Sequence, residues 1–226
     1  MKTLVLTVSV SVAVGLIAGA AVPLVLSFSL PSAGEHGAWY ASRAAGLVAY
    51  LALWLSLAGG LLMSSAWFDG IVNRARLLAA HQALGVVGVA LGLGHALVLI
   101  PDGWTTFTLG DLFVPFASYY RPAESALGTI SLYLAALVTF SFWFRNAIGP
   151  TTWRWVHRAS VVAYVAALWH GLTIGSDAGS LPVRVLYIAT SFLLIAALTI
   201  RLTYARPRKS APARVPPSRA PTATAG

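Results

Sequence analysis

Residues 77–100 have the sequence LLAAHQALGVVGVALGLGHALVLI, an apolar run that carries two histidines and no charged side chain. At about 1.5 Å rise per residue, a helix of this length spans the roughly 30 Å hydrocarbon core of a bilayer. A lipid-exposed strand would leave backbone groups unpaired there, so a helix is predicted. This stretch therefore predicts an α-helical membrane protein with ionisable groups inside the membrane.

The composition of the whole chain supports this class. Of 226 residues, 58% are hydrophobic and 9% are charged, whereas roughly 25% are charged in a soluble domain. Six apolar segments are long enough to span a bilayer: residues 4–30, 39–63, 77–100, 126–144, 153–174 and 183–204. The sequence predicts an all-α fold, a polytopic bundle of six transmembrane helices. The first segment has a second interpretation as a signal peptide cleaved near Ala18-Gly19-Ala20, but its length favours a retained helix.

The distribution of charge predicts the orientation. If both termini are cytoplasmic, twelve of the fifteen basic residues lie inside: Lys2, Arg74, Arg76, Arg145, Arg154, Arg158, Arg201, Arg206, Arg208, Lys209, Arg214 and Arg219. Five of the six acidic residues then lie outside, as the positive-inside rule favours. We therefore expect a multi-pass plasma-membrane protein with both termini cytoplasmic. The net charge of +9 suits contact with anionic membrane lipid, and no nucleic-acid-binding motif accompanies it.

The missing residue types narrow the chemistry. The chain has no cysteine, which excludes disulfides, cysteine-ligated iron–sulfur clusters and covalent haem attachment. No aspartate or glutamate lies inside a predicted span, so carboxylate-bridged metal sites and cation-transport sites lack ligands. Any redox metal must be held mainly by histidine.

Four of the five histidines lie in the third and fifth predicted helices, whereas His36 is expected in a solvated loop. His81 and His95 are 14 residues apart, and His157 and His170 are 13 apart, so each pair spans about 20 Å along its helix. In the predicted orientation, one histidine of each helix lies near each face of the membrane. This arrangement is what two bis-histidine b-type haems between helices 3 and 5 require. The alternative is that the histidines make polar contacts between helices.

Three glycines lie between His81 and His95. Gly85, Gly88 and Gly92 share one helix face with these histidines because the spacing alternates between four and three residues. Each costs about 1 kcal/mol relative to alanine in a helix. A wall without side chains would let a flat macrocycle approach the backbone, whereas close helix packing is the competing explanation. We predict that these glycines line the haem.

The fifth helix is less regular. Fourteen residues turn an ideal helix to within about 40° of its starting direction, but thirteen leave it roughly 140° away. His157 and His170 are therefore expected to point to different faces of a straight helix. Tilt, overwinding or ring orientation must absorb the difference.

The longest predicted connection, Pro101 to Ser125, is unusually aromatic. It carries Trp104, Phe107, Phe113, Phe116, Tyr119 and Tyr120. We expect an interfacial segment over the outer end of the bundle, either an aromatic belt or a lid over a cofactor.

The His-x13-His and His-x12-His pairs resemble the ferric-reductase-like transmembrane domain. This group includes NADPH oxidases, ferric reductases and the haem-binding membrane subunit of periplasmic methionine sulfoxide reductase. SRAAGLVAYLAL (Ser42–Leu53) is similar to the second-helix pattern of the family, and VPFASYYRP (Val114–Pro122) and Trp153–Ala178 resemble actinobacterial members. The resemblance covers residues 39–204. Residues 1–38 would form a first transmembrane helix and an outer loop, and residues 205–226 a disordered cytoplasmic tail.

The resemblance implies a ligand for each haem position. His81 and His157 would ligate the inner haem, and His95 and His170 the outer haem, although relatives with a single haem exist. The haem propionates need polar partners near each face. Near the outer face Arg43 is the first candidate and Arg121 the next, and near the inner face the candidates are Arg154 and Arg158. The alternative for all four is a charge that only marks the membrane interface or the topology.

Transmembrane electron transfer is the function that these features predict. Complete ferric reductases of this family carry a cytoplasmic flavin and NADPH-binding domain, but residues 205–226 contain no glycine-rich nucleotide motif. We therefore expect the membrane cytochrome subunit of an oxidoreductase. Its donor would be a cytoplasmic flavin reductase or quinol, and its acceptor an extracytoplasmic redox protein or ferric iron. The alternative function is a haem-free interaction or assembly subunit with structural histidines.

Overall fold

The computed structural model describes residues 37–65, 73–101 and 106–204. In these ranges it contains six helices and no strand: α1 (Gly37–Ser64), α2 (Arg74–Leu97), α3 (Leu109–Phe113), α4 (Pro122–Ile148), α5 (Pro150–Ile174) and α6 (Leu181–Thr203). The predicted all-α class is confirmed. The predicted first span (residues 4–30), the loop residue His36 and the predicted tail (205–226) lie outside the described residues.

Four of the long helices are apolar enough to cross a membrane. They are α1, α2, α4 and α6, and they support the predicted membrane class. The fifth long helix, α5, has 25 residues but is not among the four. It carries Arg154, Arg158 and two histidines, which lower its mean hydropathy. The six-span arrangement therefore stays a prediction.

The bundle consists of two helical hairpins. α1 packs lengthwise against α2, and α4 packs lengthwise against α5. Contacts between the hairpins are fewer and run mainly from α2 to α4 and from α1 to α5, while α6 packs against α1. We name the two ends of the bundle by their chemistry. The basic end contains the C-termini of α1, α4 and α6 and the N-termini of α2 and α5. The loop end lies opposite and contains α3.

Local sequence explains the tight turn between α4 and α5. Gly149 is the one residue between these helices and has a φ of 80°, a conformation that glycine adopts without steric cost. Pro150 follows at the first helical position, where its missing N–H leaves no hydrogen bond unmade. The chain therefore reverses within one residue, and α5 returns alongside α4.

Hydroxyl groups join three helices near the middle of the bundle. The Tyr50 hydroxyl lies 2.6 Å from the Tyr164 hydroxyl and 2.6 Å from Thr190 Oγ1. Trp54 Nε1 donates to the Thr190 carbonyl at 2.9 Å. Buried polar groups are costly unless they are hydrogen-bonded, and this network satisfies them across α1, α5 and α6.

The short helix α3 lies over the loop end of α4. Thr108 and Asp111 form a capping box at its start, and the Thr108 hydroxyl, which donates to the carboxylate, holds the pKa of Asp111 below its usual value. The Thr129 hydroxyl donates to the Leu112 carbonyl at 2.8 Å. These bonds fix the aromatic connection against the bundle.

Candidate functional site

The four histidines of α2 and α5 meet in two pairs, one at each end of the bundle. The ring centroids of His81 and His157 are 5.9 Å apart, with planes at 72°. Those of His95 and His170 are 6.2 Å apart, with planes at 82°. The structure thus brings together one histidine from α2 and one from α5 at each depth, the combination that the spacing predicts. Because the two helices belong to different hairpins, each pair lies where the hairpins face each other.

Both histidines of α2 are held by serines of α1 in the same way. His95 Nδ1 donates to the Ser42 carbonyl at 2.8 Å, and the Ser42 hydroxyl donates back to the His95 carbonyl at 3.0 Å. His81 Nδ1 donates to the Ser56 carbonyl at 2.7 Å, and the Ser56 hydroxyl donates to the His81 carbonyl at 2.9 Å. We call each reciprocal pair of bonds a serine clamp.

A third histidine has a backbone acceptor of its own. His170 Nδ1 donates to the Glu124 carbonyl of α4 at 2.8 Å. A carbonyl oxygen only accepts, so in all three rings Nδ1 carries the proton and Nε2 carries the lone pair. No hydrogen bond within the described residues uses the Nε2 atom of any of the four histidines. In these three rings Nδ1 makes the kind of hydrogen bond that metal-bound histidines also make, and Nε2 keeps its lone pair.

Glycines allow these rings to approach the neighbouring helices. A Cβ atom at Gly46 would lie 2.9 Å from His95 Nδ1, and one at Gly128 would lie 2.7 Å from His170 Cε1. At Gly60 the corresponding distance to His81 Cε1 is 3.3 Å. Each of these glycines follows the accepting residue by four positions, one helical turn. The three rings therefore lie where a side chain on the neighbouring helix would otherwise stand.

His157 is supported differently. Its Nδ1 atom is buried and has no hydrogen-bond partner among the described residues. Its ring stacks on Trp153 of the same helix, with centroids 5.0 Å apart and planes at 25°. The two histidines of α5 therefore have different surroundings: His170 is bonded to α4, and His157 lies against Trp153 of its own helix.

A cavity of about 650 Å³ lies at the loop end beside the second pair. Its lining includes His95, His170 and Arg43, and the aromatic residues Tyr119 and Tyr120 lie at the same site. Its size is within the range of roughly 300–1,000 Å³ for small-molecule and cofactor sites. The predicted aromatic segment therefore contributes to the wall of this cavity, which favours the lid over the plain belt.

Each of the four arginines predicted as a propionate partner contacts other protein groups. Arg43 lines the cavity and forms an ion pair with Asp177, with Nε 2.6 Å from the carboxylate. Arg121 donates to the Thr173 carbonyl and lies 3.6 Å from Glu124. The guanidinium groups of the remaining two lie at the basic end, against Thr151 and the Trp155 ring: Arg154 and Arg158.

The three predicted glycines of α2 have separate surroundings. A Cβ atom at Gly88 would lie 2.7 Å from the Leu53 side chain, so Gly88 allows α1 and α2 to pack closely. At Gly85 and Gly92 the nearest atoms would be 3.4 Å and 3.5 Å away. Gly88 and Gly92 also line the cavity. Gly88 therefore both allows close helix packing and forms part of the cavity wall.

The spacing of each ring pair is compatible with two imidazoles that bind one metal centre. Metal–imidazole bonds are about 2.0–2.1 Å, and the ring centre lies roughly 1 Å beyond the nitrogen, so opposed ligands place centroids about 6 Å apart. The observed separations of 5.9 and 6.2 Å match this value. Within the described residues no three His, Cys, Asp or Glu side chains cluster as a metal site. The protein offers two ligands at each level, which suits a group that brings its other ligands with it.

The sequence reasoning missed the residues that hold the histidines. Ser42 and Ser56 are 14 residues apart, like His81 and His95, and each is followed by a glycine four positions later. This Ser-x3-Gly pattern occurs twice on the preceding helix with the same 14-residue spacing as the histidines, and it could have indicated the two serines. Glu124 acts through its backbone carbonyl and gave no such signal.

Comparisons of the chain with protein-family models, with curated proteins and with solved structures found no match.

Proposed function

We propose that the chain transfers electrons across a membrane through two b-type haems, one at each histidine pair. The observation that carries this proposal is the pairing of His81 with His157 and of His95 with His170 at metal-bridging separations. When bound, each haem would supply one-electron redox chemistry, which the protein side chains do not provide. The same proposal places the chain among the ferric-reductase-like membrane domains.

The roles of the protein groups follow from their contacts. Nε2 would be the ligand atom of His81, His95 and His170, because their Nδ1 atoms are engaged. We propose the same ligand atom for His157. The serine clamps orient the rings of α2, and the Glu124 carbonyl orients His170.

The alternative, a haem-free subunit with structural histidines, accounts poorly for the rings. Structural histidines would explain the Nδ1 bonds, which join neighbouring helices. They would not explain why histidines of two different hairpins meet ring to ring, at 5.9 and 6.2 Å between centroids. Two hydrogen-bonded imidazoles are also not expected to recur at matched depths.

The charge at the two ends supports the proposed orientation. Among the described residues the basic end carries six arginines and no carboxylate: Arg74, Arg76, Arg145, Arg154, Arg158 and Arg201. The loop end carries Asp111, Glu124 and Asp177 together with three arginines. By the positive-inside rule the basic end is cytoplasmic. We propose that residues 4–30 and α5 complete six spans in the plasma membrane.

The basic end is suited to an acidic electron donor. Arg145 lies 3.9 Å from the centroid of the Phe142 ring, and Arg158 lies 4.5 Å from that of Trp155, so neither is neutralised by a carboxylate among the described residues. A surface of one sign attracts a partner of the opposite sign. We propose a cytoplasmic flavin reductase as donor, with membrane quinol as the second candidate. At the loop end the acceptor would be an extracytoplasmic redox protein or ferric iron.

Haem content tests the proposed function directly. Purified protein from haem-replete cells should contain two haems per chain and show a Soret band and, after dithionite, a sharp α-band of a low-spin b-type cytochrome. The pigment should be extractable with acid acetone because the chain has no cysteine to bind it covalently. An absorption spectrum and a pyridine haemochrome assay measure this. A His36→Ala variant should keep the full spectrum, and colourless wild-type protein would favour the haem-free subunit.

Donor specificity should depend on salt and on the basic end. Exposed charges are screened over about 8 Å at physiological ionic strength, so haem reduction by an acidic flavin reductase should slow as salt rises. Changing Arg154 and Arg158 to glutamine should slow it by roughly 10-fold at low salt. Stopped-flow absorbance at the α-band measures the rate, and Arg184→Gln at the loop end is the matched control. If the rate of haem reduction depends neither on salt nor on the arginine substitutions, and a quinone-site inhibitor stops it, the donor is quinol.

A further inference from the structure

We infer that the two haem positions are unequal and that the haem at the basic end, held by His81 and His157, dissociates first. This inference rests on the proposed function and concerns His157 as its weak ligand. The other three histidines each donate Nδ1–H to a backbone carbonyl, at 2.7, 2.8 and 2.8 Å. His157 makes no such bond within the described residues, although its Nδ1 is buried.

The register of α4 against α5 explains the difference. Glu124 faces His170, and the Ser131 hydroxyl donates to the Ala163 carbonyl at 2.8 Å. Continued along these antiparallel helices, the same register places Leu137 and Val138 at the level of His157. One of these carbonyls is already taken, because the Ser141 hydroxyl donates to the Val138 carbonyl at 2.7 Å.

The glycine that the other rings need is also missing at this level. Gly46, Gly60 and Gly128 each follow the accepting residue by four positions. Four positions after Leu137 and Val138 stand Ser141 and Phe142. Neither residue is a glycine, so each carries a side chain at the position where the other rings meet none. The His157 ring lies on Trp153 instead.

The missing bond weakens His157 as a ligand in two ways. A neutral histidine without an acceptor at Nδ1 is free to place its proton on Nε2, the tautomer that cannot ligate through Nε2. The Nδ1–H bond also raises the basicity of the ligating nitrogen, and loss of such an outer bond typically costs 10–100-fold in metal affinity. We therefore expect the basic-end haem to leave about 10–100-fold faster than the loop-end haem.

One feature acts in the opposite direction and makes the test informative. The loop-end cavity reaches the surface of the bundle beside His95 and His170, so access alone would favour release from that end. The order of release therefore separates ligand support from access.

Capture of haem by apomyoglobin measures the order of release. Wild-type holoprotein in lipid nanodiscs, mixed with excess apomyoglobin, should lose its haem in two phases of equal amplitude. The fast phase alone should remain in His170→Ala, which keeps only the basic-end haem, and the slow phase alone in His157→Ala. If His170→Ala does not accumulate, His95→Ala removes the partner ligand and serves the same purpose.

The outcomes distinguish this inference from the proposed function. A single phase, or a fast phase that survives in His157→Ala and disappears from His170→Ala, would overturn the inequality while leaving a dihaem protein. Wild-type protein without haem would instead refute the proposed function, and no release experiment would then be possible.

Discussion

Replacing His95 or His170 by alanine removes one and the same haem, and replacing His81 or His157 removes the other. The reason is that the facing rings are 6.2 Å apart at the loop end and 5.9 Å apart at the basic end, whereas the two histidines of one helix are separated by about 20 Å. Each single variant should fall from two haems to one per chain by pyridine haemochrome assay.

Double variants make the pairing unambiguous. His95→Ala combined with His170→Ala should still hold one haem, because both changes affect the same position. His81→Ala combined with His95→Ala should hold none, although both changes lie in α2. If that second combination instead kept one haem, the ligands would be paired along the helix, and the proposed bridging of hairpins would be wrong.

A single methyl group at Gly128 should weaken the binding of the loop-end haem. The added Cβ atom would lie 2.7 Å from His170 Cε1 and 2.8 Å from Nδ1, closer than real contacts allow. The ring would have to turn away, which breaks its bond to the Glu124 carbonyl and redirects Nε2. We expect Gly128→Ala to bind this haem at least 10-fold more weakly, the lower limit for loss of an outer-shell bond.

Gly59→Ala is the matched control for this change. Gly59 lies in α1 near the other histidine pair, but a Cβ atom there would be 3.6 Å from Leu77 and 4.0 Å from His81, which are ordinary contacts. Haem titration of the two variants in parallel should show full occupancy for Gly59→Ala and about half for Gly128→Ala. Equal occupancy would show that the ring of His170 does not depend on this close approach.

The sequence predicted the histidine pairs because helical rise converts spacing into depth. Fourteen and thirteen residues between histidines correspond to nearly the same distance, so the levels match even though the helical faces do not. The thirteen-residue spacing also predicted that His157 and His170 point to different faces of their helix. In the structure these two rings have different neighbours, Trp153 for His157 and the Glu124 carbonyl for His170. Membrane class and all-α fold followed from the length of the apolar segments.

What the sequence could not show is how the rings are held. The acceptors at Ser42, Ser56 and Glu124 are backbone carbonyls, which every residue carries, so residue type gives no sign of them. The importance of Gly128 depends on a ring from another helix, 42 positions later in the chain. The sequence indicates Arg43 as a propionate partner only through its depth. It does not show that Arg43 pairs with Asp177, which lies 134 positions later in the chain.

The division into two hairpins has a consequence for how the protein assembles. Both serine clamps lie inside the α1–α2 hairpin, and the bond between His170 and Glu124 lies inside the α4–α5 hairpin. Each half can thus set its own ligands before it meets the other, and on the proposed function each haem then bridges the seam with one bond to either side. Because a ligand that binds only the folded state stabilises it, haem supply would govern the closing of this seam. A haem-starved chain would then lose the haem's share of the contacts between its hairpins, while the hydroxyl network of Tyr50, Tyr164 and Thr190 still joined them.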